Sequence, residues 1–525
     1  MKGITVARVL TVCIVALLVG TACFGQDKTS KPEYGGILRT INSTGPQMLS
    51  YNPMMGPGDA VAIMPGSERL MDCSLDRRKG TGMEPVLAEK VDEDAKNLKI
   101  TWHIRKGVKF HDGSELDAEV VRWCFQQVID GKALPYIKML KGMKVTDKYT
   151  LVMDLNGYSN QLVPSWGYWP IITSKAAWDK ASGGDLEKGK EWARTNFVGT
   201  GPFMLKEFKR DDHMTWVKNP NYWRKGRPYL DGVETRFIPD SVTASAMMQA
   251  KEADIWEAPP KDQQELMKKG LKRQSSWPAV GFSIWINTAN TETKWKDKRL
   301  REAVEYALDK DAIAKALGFG FFRPLKTLPP EGEWGFDPTN NGRPYNPEKA
   351  KQLIKDAGYP NGVKVKLLVL MTPDHRDAAT AIKQYLDAAG FQIDVDIADP
   401  GRFFGTIYWK KPSAEQDLMF WMTGRMPNYL ASYFAWMSTE PYTDVSFLGH
   451  TPEQEKMDRQ AEQLTNTKDK QEMTKKIMRY MMDNALVIPI YDAPGAVMQQ
   501  PWVHSNRFEQ GFIRWQTDEV WMEKH

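Results

Sequence analysis

At 525 residues the chain is longer than one hydrophobic core usually supports, so two or three domains are expected. Its 71 basic and 66 acidic residues leave a formal net charge of +5 with no basic run, which argues against nucleic acid as a partner. Nineteen Trp, 18 Tyr and 20 Phe make it aromatic-rich; most will fill cores, and the rest are the usual walls of pockets for small polar solutes.

Residues 1–22 have the layout of a secretory signal. Lys2 and Arg8 precede an uncharged apolar run from Val9 to Val19, followed by Gly20, Thr21, Ala22 and then Cys23. The run is shorter than the roughly 20 apolar residues of a membrane helix, and no other stretch reaches that length. Gly20-Thr21-Ala22-Cys23 resembles a bacterial lipobox, with Gly20 where Leu is usual. The expectation is a mature chain starting at a lipid-bearing Cys23, outside the cytoplasmic membrane, with residues 23–33 as a tether. Cys73 and Cys124 are an even pair that an oxidising compartment permits to bridge. Cys124 also sits on the apolar stripe of a helix, where a buried thiol fits equally well. Neither has a CxxC partner or a His nearby in sequence, so no metal, redox role or cofactor is assigned.

A first strand is expected from about Ile37, after Gly35-Gly36, and the Gly- and Pro-rich residues 56–66 read as a loop. Leu98, Ile100, Trp102 and Ile104 alternate with polar residues as a half-buried strand, His111-Asp112-Gly113 turns the chain, and Asp117 caps a helix carrying Val120, Val121, Cys124, Phe125 and Val128. Lys148 to Leu155 alternates as a strand. The rings of Trp166, Tyr168 and Trp169 suit a cleft wall or a core about equally. Gly199-Thr200-Gly201 lacks the Gly-Lys-Ser/Thr of a phosphate loop, so these glycines serve a tight turn. Further on, residues 241–250 read as a helix, a block from Gly281 to Asn287 leads into 297–310 as an amphipathic helix, and Val363–Leu370, Ala378–Ala389 and Gln392–Ile397 read as strand, helix and strand. That alternation argues for an α/β lobe.

The wording of several of these segments carries more. WHIRKGVKFHDGSELDAEVV, VGTGPF followed by NPNYW, and the phrase from Asp297 to Lys310 closely resemble segments of the family 5 extracytoplasmic solute-binding proteins of ABC importers, the dipeptide, oligopeptide and nickel type. Glu68-Arg69-Leu70 is similar to that family's Glu-Gly-Leu at the start of a helix. Matches recur in unchanged order from Tyr34 to about Phe508. The resemblance implies an α/β, two-lobed periplasmic-binding-protein fold of type II, with an extra domain inserted in the first lobe. Lobe I would comprise residues 34–70, 195–282 and 501–525, the insert 71–194 and lobe II 283–500.

The function so implied is binding. The protein would close on a small solute and present it to membrane permease subunits, as a monomer held at the membrane by its lipid and without a cofactor. G-x-S-x-G and HExxH are absent, as is an acid pair in catalytic context, so a secreted hydrolase is disfavoured. The same fold also serves as a receptor for sensory or adhesion systems. For the site, Asp417 to Tyr429 resembles the family segment in which a strand ends in Gly-Trp-Thr-Gly-Asp. By that resemblance Trp421 walls the pocket, and Asn428 and Tyr429 belong to the same lining. Where peptide-binding members place an Asp against the ligand's amino group, this chain reads Arg425. A guanidinium cannot hold an ammonium, and its planar fork suits carboxylate, phosphate or sulfonate. An anionic or polar organic solute, stacked on Trp421 and gripped by Arg425, is the resulting expectation; the bland alternative is a surface Arg425 or one bridged to Asp417.

Overall fold

The computed structural model describes residues 31–73, 82–134, 136–275, 280–290, 292–407, 416–424, 428–438, 447–449, 451–506 and 515–524. Cys23, the signal and Arg425 lie outside the described residues.

Two mixed sheets organise the chain. The first has seven strands in the order Lys272–Ser275, Ala496–Gln499, Ile255–Trp256, Ile37–Asn42, Gly232–Phe237, His213–Lys218 and Phe203–Lys209. Ile37–Asn42 runs parallel to both of its neighbours, as the crossover helix Ser241–Gln249 requires on one side. The second sheet has six strands in the order Arg323–Pro324, Val487–Ala493, Val280–Ile286, Leu418–Thr423, Val363–Leu370 and Phe391–Ala398. Helices Lys298–Tyr306, Lys310–Gly318 and Pro347–Asp356 supply apolar faces to the core on one side of it, with Leu300, Val304, Ile313 and Ile354 buried there. A separate four-stranded antiparallel sheet, Ala88–Asp94, Lys99–Ile104, Thr150–Leu155 and Leu140–Asp147, carries helix Ala118–Asp130. Its start is as the pattern predicts: Gly113 has φ +85°, and the Asp117 side chain accepts from the Val120 N–H at 3.0 Å.

Sheet membership moves two expected boundaries. Val280–Ile286 pairs wholly within the second sheet, so the chain crosses before Val280 and not after residue 282. Ala496–Gln499 pairs with Lys272–Ser275 and Ile255–Trp256 in the first sheet, so the return crossing falls at Pro494 and Gly495, ahead of the expected 500/501. An alternating strand looks the same whichever sheet it joins, and only its pairing partners reveal the crossing.

Three local readings change or resolve. Residues 56–66 contain helix Pro57–Ala62, with Pro57 in its first turn and Asp59 accepting the Gly56 N–H at 2.8 Å. Residues 67–70 are not helical and lead directly into strand Met71–Cys73. Trp166 and Tyr168 are fully buried on helix Leu162–Tyr168, which settles them as core. No disulfide joins Cys73 to Cys124; Cys124 donates to the Thr173 carbonyl at 3.6 Å, and burial pushes its thiol up to about 12. Gly199 and Gly201 are structural in a specific sense, since a Cβ at either would lie 2.3 and 2.6 Å from the Gly66 carbonyl oxygen.

Candidate functional site

In an open α/β sheet, ligand groups collect beyond the carboxyl ends of parallel strands. In the first sheet those ends are Asn42, Phe237 and Trp256. A cavity of about 450 Å³, counting the space open to solvent, lies there, lined among others by Thr40, Asn42, Thr235, Glu257, Val497 and Trp515. Thr40 and Thr235 share a hydrogen bond of 2.8 Å between their hydroxyls, which fixes two polar groups on its floor.

Trp515 also lines a second, polar chamber of about 540 Å³ on the same count, whose walls include Glu68, Arg69, Tyr222, Arg224 and Asp518. Glu68 is the hub of this chamber's wall. It accepts from Thr200 Oγ1 at 2.8 Å, Tyr222 Oη at 3.0 Å and Trp223 Nε1 at 2.9 and 3.1 Å. Burial nevertheless raises its carboxyl to about 7, against the pull of those donors and of the Arg224 charge. Arg224 in turn pairs with buried Asp518 at 3.3 Å.

The second sheet offers a different kind of wall. Phe391–Ala398, Val363–Leu370 and Leu418–Thr423 are parallel, so they end at one edge. Each is followed by a helix beginning at that edge: Pro400–Ile407, Pro373–Ala388 and Tyr429–Trp436. Three helix N-termini, two of them capped by Thr372 and Asn428, therefore face the same side with the positive ends of their dipoles. Between them, Trp421 is 6% exposed and packs on Phe403 and His375, with ring centroids 5.0 and 5.9 Å away. At the same edge Arg323 is ion-paired with Asp492, whose carboxyl burial raises to about 6.

The structure thus brings Trp421, Asn428 and Tyr429 to one end of the second sheet. The Asn428 side chain accepts the Ala431 N–H at 2.8 Å and caps its helix, and the Tyr429 ring is buried, 1% exposed, with its hydroxyl raised by desolvation. Asp417, the suggested bridge for Arg425, sits at the far end of its strand, roughly 20 Å from Gly424 at strand rise, where it accepts from Lys294 Nζ at 2.6 Å, Trp295 Nε1 at 2.9 Å and the Lys366 N–H at 2.8 Å. Sequence reading missed the Glu68 hub, Arg69 as a chamber wall and the Arg323–Asp492 pair; only the resemblance at Glu68-Arg69-Leu70 pointed near them.

Two α/β lobes crossed twice by the chain, with an insert on the first, are the architecture of two-lobed binding proteins. Solved structures agree across nearly the whole length. The periplasmic binding protein DppA from Helicobacter pylori, in complex with the peptide STSA, superposes with a TM-score of 0.80 at 22% identity, covering 94% of this chain and 99% of that one. The binding protein AgaA from A. tumefacien R10, in complex with agropinic acid, gives 0.77 at 20% identity, covering 93% and 99%. Residues 82–444 match the bacterial extracellular solute-binding proteins, family 5, and the chain belongs to that family. Heme-binding protein A of Haemophilus influenzae is 32% identical over 320 residues, 56% of this chain; the match spans only 58% of that relative's length. Family and fold are those of binding proteins, and the family is extracellular. No helix among the described residues is long and apolar enough to cross a membrane.

Proposed function

We propose that this protein is the extracytoplasmic solute-binding component of an ABC importer, tethered through Cys23, which closes on a small organic acid and passes it unchanged to permease subunits. The observation that carries the reading is the edge of the second sheet. Three helix N-termini beside Trp421 favour a ligand with negative charge and a face that stacks on an indole. Arg425, one residue beyond Gly424 at that edge, adds a guanidinium in the same stretch of chain. The ligands named for the relatives, haem, the peptide STSA and agropinic acid, differ in shape yet each bears carboxyl groups, which is consistent with an acid as solute. Closure works because the solute binds the closed form better than the open one, and no chemical step is required of the protein.

The test is calorimetry across matched panels of organic acids, sugars and peptides, followed by small-angle scattering with the best ligand. The expected result is a preference for acids, a more compact particle on binding, and recovery of intact ligand. Strong stabilisation by neutral sugars alone, or conversion of the ligand, would replace this reading with another.

A further inference from the structure

Arg69 stands out among the charged groups of the chamber beside Trp515. The other arginine of that wall, Arg224, has Asp518 as its counter-ion at 3.3 Å. Arg69 has none among the described residues. Its Nε is buried without an acceptor, and its guanidinium lies over the Tyr168 ring at 4.6 Å from the centroid. A cation placed against an aromatic face still has its in-plane N–H groups unspent, and a buried donor left without an acceptor costs on the order of 1–3 kcal/mol. The nearby carboxylates do not meet this need. Glu68 spends its oxygens on Thr200, Tyr222 and Trp223, and Asp72 accepts from the Cys73 N–H at 2.8 Å. Tyr168 itself is fully buried, so the platform beneath the guanidinium is rigid, and the fork is held in one orientation. Its sequence neighbours fix it further: the Arg69 carbonyl accepts the Leu87 N–H at 3.1 Å, while Glu68 on one side is the hub of the wall.

We infer that Arg69 anchors a carboxylate in the chamber that shares Trp515 with the cavity at the strand ends of the first sheet. The carboxylate is either the acidic end of the solute lying in the cleft or a separate small organic acid. The inference rests on the proposed reading of the protein as an organic-acid binder, and deepens it by naming a charge anchor in the chamber beside Trp515.

The test compares the native protein with Arg69→Gln and Arg69→Lys by calorimetry and thermal shift, using succinate, glutarate and hippurate against their methyl esters, with acetate as a separate probe. The Lys variant keeps the charge and loses the fork, which guards against a Gln variant that fails to fold. Arg69→Gln is expected to lose at least about tenfold of the native preference for acid over ester, and Arg69→Lys to lose less. Stabilisation by acetate alone that disappears in Arg69→Gln assigns the site to a free acid; stabilisation only by the larger acids assigns it to the solute's own carboxylate. A native protein that prefers acids, with Arg69→Gln keeping that preference in full, overturns the role of Arg69 and leaves the proposed function standing. A native protein that prefers the esters overturns both.

Discussion

Glu68 shows how a single residue ties together distant stretches of the chain. Its partners Thr200 and Trp223 lie 132 and 155 residues further along the chain, so the hub ties the stretch before the expected insert to two turns that follow it. Its carboxyl is raised to about 7 from an ordinary value of 4.5. A carboxyl raised on folding holds its proton more tightly in the native state, so its contribution to stability is full below pH 4.5 and is lost as pH rises to 7. The shift corresponds to about 3 kcal/mol at most. Calorimetric melts of the native protein should therefore show a downward trend in Tm from pH 5 to pH 7.5 that Glu68→Gln flattens. Glu68→Ala leaves the Trp223 and Thr200 donors without their acceptor and should cost about 2–4 kcal/mol at any pH. Equal slopes in native and Gln proteins would assign the trend to other groups. At this scale the strand end that carries Trp421 was legible from its phrase, because a strand end has local wording. The Glu68 hub was not, because its donors come from distant turns and no sequence period marks them.

The element that joins the insert to the second lobe is helix Pro452–Gln463. Its last turn leaves carbonyls without intrahelical partners, and a side chain from another domain takes them. Asn160 Nδ2 donates to the Ala461 and Leu464 carbonyls, both at 2.7 Å, and the Asn160 N–H donates to the Glu462 carbonyl at 2.9 Å. Ser159 donates to the Glu462 side chain at 3.1 Å, and Gln463 Nε2 returns a bond to the Tyr158 carbonyl at 2.8 Å. The Asn160 side-chain bonds of this clasp reach carbonyls 301 and 304 residues further along the chain. Asn160→Ala removes its two side-chain bonds, worth about 1–3 kcal/mol together, and should speed hydrogen exchange of the 159–162 amides by roughly tenfold or more. Unchanged exchange would show that the clasp adds nothing to holding these elements together. Here the pattern located several elements well, among them Lys99–Ile104, Ala118–Asp130, Thr150–Leu155 and Val363–Leu370, because burial alternation is a local property. It failed at residues 56–66, where Pro57 and Asp59 start a helix inside Gly-rich wording, and it gave no sign that residues 158–161 reach another domain.

Taken whole, the molecule is two sheets with the chain crossing between them on either side of the second, once between Ser275 and Val280 and once at Pro494 and Gly495. The two crossings are adjacent, and contacts such as Gln264 Nε2 to the Phe319 carbonyl at 2.5 Å and Arg273 over the Phe321 ring at 4.4 Å also join the two parts. The mature chain is expected to work at a membrane surface through Cys23. Replacing it, Cys23→Ser, should move the protein from the membrane fraction to the soluble extracytoplasmic fraction without changing its Tm. Continued membrane association of the variant would require a different anchor.

The order of strands and helices, the turn at Gly113, the cap at Asp117 and the family itself were determined by the sequence alone, since each depends on residues close together in the chain. Which sheet a strand joins, where the lobes divide and which side chains meet at the cavities were decided only by the tertiary structure. Pairing of Ala496–Gln499 with Lys272–Ser275, the gathering of three helix N-termini at one edge and an arginine without a counter-ion among the described residues are relations between segments far apart in the chain, and they exist only once packing has chosen the neighbours.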